Sequence, residues 1–174
     1  MSLRLVAVCA LAIAPTACNA GAESAPTTVS PGVVEANAVV DFVVDGDTID
    51  ALIDGREERV RLIGIDTPET KRPDTPIECF GPEATAFVES LLPIGTPIRV
   101  ERDTVSRDDF GRLLGYVYRA ADGVFVNYET VRQGYATPLT IEPNDTHAAL
   151  FVEAARAAEA DDVGLWSACS GDGQ

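Results

Sequence analysis

Two short stretches hold most of the side chains able to do polar chemistry. In Asp45-Gly46-Asp47-Thr48, two carboxylates flank a glycine that permits a sharp turn. In Arg61-Leu62-Ile63-Gly64-Ile65-Asp66-Thr67-Pro68-Glu69, a guanidinium is followed by two more carboxylates and a chain break at Thr67-Pro68. Carboxylates together with an exposed backbone carbonyl are the oxygen ligands that a hard cation such as calcium takes. A stretch of either kind is, by itself, more often an ordinary acidic turn than a site, so its meaning depends on what it meets. Strand alternation sends Arg61, Ile63 and Ile65 to one face and Leu62, Gly64 and Asp66 to the other, and the break lets Asp66 and Glu69 converge.

The missing residue types narrow the chemistry further. His147, in Pro143-Asn144-Asp145-Thr146-His147, is the sole histidine and reads as a capping or surface residue. That argues against a histidine-based triad and against a zinc hydrolase. Hydrolysis in this chain has to run on carboxylates and arginines. Lys71 is the single lysine, so nearly every cation is a planar guanidinium suited to bidentate contact with phosphate.

The elements that must position these groups follow from periodicity. Val33 to Val44, Thr48 to Ile53 and Glu58 to Ile65 read as strands joined by turns at Asp45-Gly46-Asp47 and Asp54-Gly55. Ala84, Phe87, Val88, Leu91 and Leu92 fall on one face of a helix with Pro82 in its first turn, closed by Pro93 to Gly95. Ile98 to Arg102 and Leu113 to Arg119 read as two further strands, separated by the polar loop Asp103 to Arg112. Val126 to Gln133 reads as a short helix ended by Gly134, and Ala148 to Ala160 as an alanine-rich helix with Asn144, Asp145 or Thr146 as its cap. Five short strands with inserted helices predict an α+β fold, and a small barrel of the oligonucleotide-binding type is one candidate.

The first 22 residues differ from the rest. Arg4, the apolar run Leu5 to Ala14 and the small residues Ala17, Ala20 and Ala22 read as a signal peptide, and the run is too short for a bilayer span of roughly 20 residues. The mature chain is expected to be exported. Cleavage before Cys18, giving a lipid anchor there, and cleavage after Ala20-Gly21-Ala22 are both open. Residues 23–32 read as a flexible linker, 33–169 as the domain and 170–174 as a tail. With Cys9 and Cys18 in the leader region, Cys79 and Cys169 remain and are expected to pair in an oxidising compartment.

Net charge points the other way from a polyanion binder. The chain carries −15, and loss of Arg4 with the leader leaves 12 cations against 28 acids, or −16. A nucleic-acid-binding domain is expected to be basic. Either an acidic surface surrounds a local cationic site, or the partner is not nucleic acid.

In combination, the two acidic stretches resemble the staphylococcal nuclease (thermonuclease) family. Asp108-Asp109-Phe110-Gly111-Arg112, Val131-Arg132-Gln133-Gly134, Pro143 to His147, Gly164-Leu165-Trp166-Ser167 and Gly81-Pro82-Glu83-Ala84 follow in the family's order, so the likeness spans roughly Asp41 to Ser167. The resemblance implies a five-stranded OB-fold-type barrel with about three helices and one calcium ion held by Asp47, Asp66 and the Thr67 carbonyl. It implies Glu69 as the group that positions or deprotonates water, and Arg61 and Arg112 as the phosphate-gripping arginines. Cleavage of DNA, RNA or both to 3′-phosphates is the activity it implies, and with the leader read above the enzyme is expected to be an exported monomer. Phe110, Asp109 and Leu139-Thr140-Ile141 depart from the family pattern, in which tyrosines and a lysine stand near the nucleotide. A non-catalytic binding module and an acidic calcium binder at the cell surface are the competing expectations.

Overall fold

The computed structural model describes residues 32–71 and 76–169. The signal peptide, nearly all of the linker, Cys18 and the 170–174 tail fall outside the described residues.

Three strands open the domain: β1 (Ala38–Asp45), β2 (Thr48–Ile53) and β3 (Arg56–Leu62). Their alternating apolar residues Val40, Ile49, Ala51, Val60 and Leu62 are fully buried, which fixes the register of the meander. The next two barrel strands are β5 (Pro97–Glu101) and β6 (Leu113–Arg119). The five close in the order β1-β2-β3-β6-β5, with β3 and β6 parallel and every other pairing antiparallel, the closure being made by β1 with β5. The expected five-stranded barrel is therefore present.

Between β3 and β5 lie β4 (Gly64–Asp66) and α1 (Gly81–Leu91). Pro82 stands in the first turn of α1, and Ala84, Val88 and Leu92 face the barrel. After β6 come α2 (Val126–Arg132), β7 (Thr137–Leu139), α3 (Ala148–Ala160) and the single turn α4 (Leu165–Ala168). On α3, Phe151, Ala154, Ala155 and Ala158 recur at helical spacing and are buried. Cys79 and Cys169 are joined, with Cα atoms 6.0 Å apart and a separation of 90 positions in sequence. Closing a loop of that size stabilises the fold by about 4 kcal/mol in the chain-entropy model.

The structure corrects three local expectations. The strand expected to run unbroken from Glu58 to Ile65 divides after Leu62, because Gly64 takes φ +81° and a side chain there would meet the Phe151 ring. The short β4 then leaves the barrel and pairs with β7, a strand that periodicity did not reveal. No side chain of Asn144, Asp145 or Thr146 caps α3: the N-cap residue is His147, without a side-chain capping bond. The polar side chains of Asn144 and Thr146 are used elsewhere, since Asn144 exchanges two hydrogen bonds with the Val105 backbone and Thr146 donates to Asp103. His147 is half-buried rather than on the surface. Its ring lies edge-on to Tyr116 (4.5 Å) and Phe125 (5.1 Å), and burial lowers its pKa against the opposing charges of Asp103 and Glu101.

Candidate active site

The β1–β2 turn presents Asp45 and Asp47 at one end of the barrel. Gly46 is needed there because a Cβ on it would stand 2.8 Å from the Thr67 side chain. That close approach lets the two acidic stretches meet. Asp47 Oδ2 accepts hydrogen bonds from the Thr67 amide and the Thr67 hydroxyl, both at 3.0 Å, and Asp47 Oδ1 accepts from the Thr48 hydroxyl.

Arg61 ties the cluster together. Its Nη2 lies 3.2 Å from Asp47 Oδ2 and 3.0 Å from Asp66 Oδ1, while Nη1 donates to the carbonyls of Leu62 and Ile65. Simple alternation had put Arg61 and Asp66 on opposite faces. The positive φ of Gly64 swings β4 round and makes them partners. A buried residue that sequence reasoning missed holds this kink: Asn127 on α2 donates to the Ile63 carbonyl at 2.9 Å and accepts from the Val117 amide at 2.9 Å. Its only sequence signal is an amide side chain in the apolar stretch Val124-Phe125-Val126-Asn127.

Glu69 sits in the turn beyond Pro68, where its Oε1 accepts from the amides of Thr70 (2.9 Å) and Lys71 (2.7 Å). Glu78 closes the other side, accepting from the Glu69 amide at 2.9 Å. Arg112 arrives from the β5–β6 loop. Asp108 positions it, accepting from both its Nε (2.7 Å) and its backbone amide (2.9 Å). Partial burial works to raise the Asp108 pKa, and these Arg112 hydrogen bonds and charge override it, leaving the carboxyl below its ordinary value. The loop itself is anchored by the Asn144–Val105 pair and by Asp103, which accepts from the Tyr116 hydroxyl at 2.8 Å.

All six expected residues, Asp47, Arg61, Asp66, Thr67, Glu69 and Arg112, line one cavity of about 300 Å³. Asp45, Thr48, Pro68 and Glu78 complete its wall. Among the described residues five carboxylates, Asp45, Asp47, Asp66, Glu69 and Glu78, face two arginines in its lining, so negative charge is in surplus. Burial first, and the charge of Asp47 second, push the Asp45 carboxyl up to about 6. An all-oxygen donor set with surplus negative charge fits a hard divalent cation, and Arg61 and Arg112 on its rim fit an anionic substrate.

Carboxylates from the β1–β2 turn and the end of β4, Arg61 on β3 and Arg112 in the β5–β6 loop meet at one end of a barrel of oligonucleotide-binding type, an arrangement suited to hydrolysis of an anionic polymer such as nucleic acid. Residues 59–168 match the family model described as "Staphylococcal nuclease homologue". A thermonuclease of Staphylococcus intermedius is 38% identical over 128 residues, 74% of each chain, and a thermonuclease of Staphylococcus hyicus is 34% identical over 125 residues, 72% of each. "Endonuclease YncB" of Bacillus subtilis (strain 168) is 34% identical over 133 residues, 75% of this chain and 62% of that one. The chain belongs to the staphylococcal nuclease family, a family that is in general metal-dependent.

Proposed function

We propose that this nuclease is an exported, calcium-dependent enzyme that hydrolyses phosphodiester bonds of DNA or RNA and leaves 3′-phosphates. The observation that carries the reading is the convergence of Asp47, Asp66, Thr67, Glu69, Arg61 and Arg112 on one cavity.

As water attacks a phosphodiester in line, negative charge grows on the non-bridging oxygens, and groups fixed beforehand where that charge appears lower the barrier. A calcium ion held by Asp47, Asp66 and the Thr67 carbonyl would supply Lewis-acid stabilisation of that charge. Arg61, with 12% of its side chain exposed and its guanidinium tied to two carboxylates, grips one phosphate oxygen with little freedom left to lose. Arg112, 31% exposed and braced by Asp108, grips from the other rim. Glu69, held in its turn by two amides, takes the proton of the attacking water.

Export rests on the leader-like first 22 residues, with the Cys79–Cys169 bridge in keeping with an oxidising destination. The mature domain is assigned to 33–169, secreted or lipid-anchored through Cys18. The mass of the mature chain recovered from cells distinguishes a lipidated Cys18 from cleavage after Ala22.

The deciding experiment is cleavage of single-stranded DNA by the mature domain with calcium or EDTA at neutral and alkaline pH, with end-group analysis of the products. Calcium-dependent cleavage to 3′-phosphate ends is expected. No cleavage with calcium, or cleavage that EDTA leaves unchanged, overturns the reading.

A further inference from the structure

A second cationic cleft lies at the far end of the β2–β3 hairpin. It has a volume of about 350 Å³ and is lined by Arg56, Arg102 and Arg107, with Ser106 between them and Asp54 and Glu58 as its acids. Three guanidiniums against two carboxylates make it locally positive in a chain whose net charge is −15.

The pairing pattern marks this cleft. Elsewhere Arg59 stands by Asp50, Arg99 by Glu101, Arg119 by Asp122 and Arg132 by Glu129, and among the described residues Arg156, alone on the surface of α3, is the other exposed arginine without an ion pair, whereas the cleft gathers two such arginines beside a third. In the cleft Arg107 alone is fixed in that way, donating to both Glu58 oxygens at 2.8 Å and to the Gly111 carbonyl. Arg56 and Arg102 are exposed, and among the described residues neither has a hydrogen bond or an ion pair within 4.0 Å. Both act at longer range on Glu58, whose carboxyl is lowered first by its hydrogen bond from Arg107 and then by the charges of Arg107, Arg56 and Arg102.

The cleft also adjoins the catalytic cavity by way of shared walls. Arg61 and Arg112 line both that cavity and an adjoining groove of about 460 Å³, and Arg107 lines both the groove and the cleft. Phe110, 87% exposed, and Ile141, 68% exposed, stand in the groove as bare apolar surface. Asp109 and Glu142 lie there too, so the groove is not a continuous cationic stripe. The walls run from Arg61 and Arg112 at one end, past the bare apolar surface of Phe110 and Ile141, to a second cationic end. Along β3 the five steps from Arg61 to Arg56 cover about 17 Å at 3.4 Å per residue.

We infer that Arg56 and Arg102, with Arg107, form a distal subsite for the sugar-phosphate backbone of a single-stranded polynucleotide whose cleaved phosphate lies at Arg61 and Arg112. This rests on the nuclease reading above. The subsite selects for length: a dinucleotide fills the catalytic cavity and cannot reach it, whereas a longer strand gains its contacts. It also gives an acidic protein a local handhold on a polyanion that its overall field repels.

The test measures binding of labelled oligodeoxynucleotides of two and twelve nucleotides to the mature chain on a Glu69→Gln background, with and without Arg56→Ala plus Arg102→Ala. Both positions are exposed, and circular dichroism checks that the fold is kept. The pair is expected to raise Kd for the twelve-nucleotide strand about tenfold and for the dinucleotide less than twofold. The slope of log Kd against log salt for the longer strand should fall by about 1.4, the value for two phosphate contacts on a single strand. Equal loss at both lengths, or no loss at either, overturns the inference. If the chain with Glu69 intact cuts nothing yet the length-dependent loss appears, the nuclease reading falls and the subsite stands as a binding feature. Cleavage without length dependence has the opposite meaning.

Discussion

The two ends of the β2–β3 hairpin use arginine in opposite ways. At the catalytic end Arg61 has two carboxylate partners and two carbonyl partners, so its guanidinium is fixed before substrate arrives. At the far end Arg56 and Arg102 are solvated and have no partner within 4.0 Å among the described residues. A fixed guanidinium stabilises a transition state because no reorganisation is needed when charge develops. A solvated one adds attraction that is screened within about 8 Å at physiological salt. On the proposed reading, the same residue type serves catalysis where carboxylates and carbonyls fix it in the cavity, as for Arg61, and capture where it is left solvated, as for Arg56 and Arg102.

The largest effect expected from breaking this contrast is on Arg61. Arg61→Ala should lower kcat about 10³-fold on long and short substrates alike, since the loss lies in the chemical step. A loss confined to KM would place Arg61 with the capture arginines instead. Next comes the brace behind it. Asn127→Ala leaves the Ile63 carbonyl and the Val117 amide buried without their partner and should cost about 3 kcal/mol in urea unfolding, with the β3–β4 kink loosened. An unchanged urea midpoint would mean that the kink is held by Gly64 and its neighbours without Asn127.

Releasing Arg112 should turn a fixed arginine into a loose one. Asp108→Asn is expected to lower kcat about tenfold while leaving Arg112 charged, and to make the remaining activity more salt-sensitive. The same variant has a pH consequence. The folded-state pKa of Asp108 lies below its ordinary value, so its contribution to stability is present above the unfolded value near 4 and is lost as pH falls through the folded one. Acid unfolding of the unmodified chain should therefore steepen below about pH 4 relative to Asp108→Asn, as followed by circular dichroism. Parallel curves would remove the Asp108–Arg112 contact from the stability of the loop.

The smallest effect tests the far end. Ser106→Asp adds a carboxylate among Arg56, Arg102 and Arg107 and makes this cleft resemble the neutralised surface elsewhere. Cleavage of long single strands should fall about threefold at low salt, and the difference should vanish at high salt as screening removes it. A loss that persists at high salt would point to a change in loop structure.

Much of this was legible in the residues before any coordinates. The barrel strands followed from apolar and β-branched runs bounded by turn residues, α1 from Ala84, Phe87, Val88, Leu91 and Leu92 with Pro82 ahead of them, and the Cys79–Cys169 bridge from the two cysteines left outside the leader region. These are local signals, or a pairing with one available partner. The break after Leu62 was not legible, because Gly64 reads as a neutral strand residue until Phe151, distant in sequence, leaves no room for a side chain. Asp108 and Asn144 were noticed as parts of motifs, but the partners they hold were not.

Sequence alone determined the inventory of this protein: an acidic chain, five strands, one histidine aside from the chemistry, and carboxylates and arginines as the reactive groups. Those properties follow from residue type and short-range spacing, which need no third dimension. Tertiary structure decided which of the ten arginines among the described residues are fixed and which are left solvated. Whether a guanidinium is neutralised depends on carboxylates brought beside it by strand register and by one glycine with positive φ, and neither is a property of its own neighbourhood in the chain.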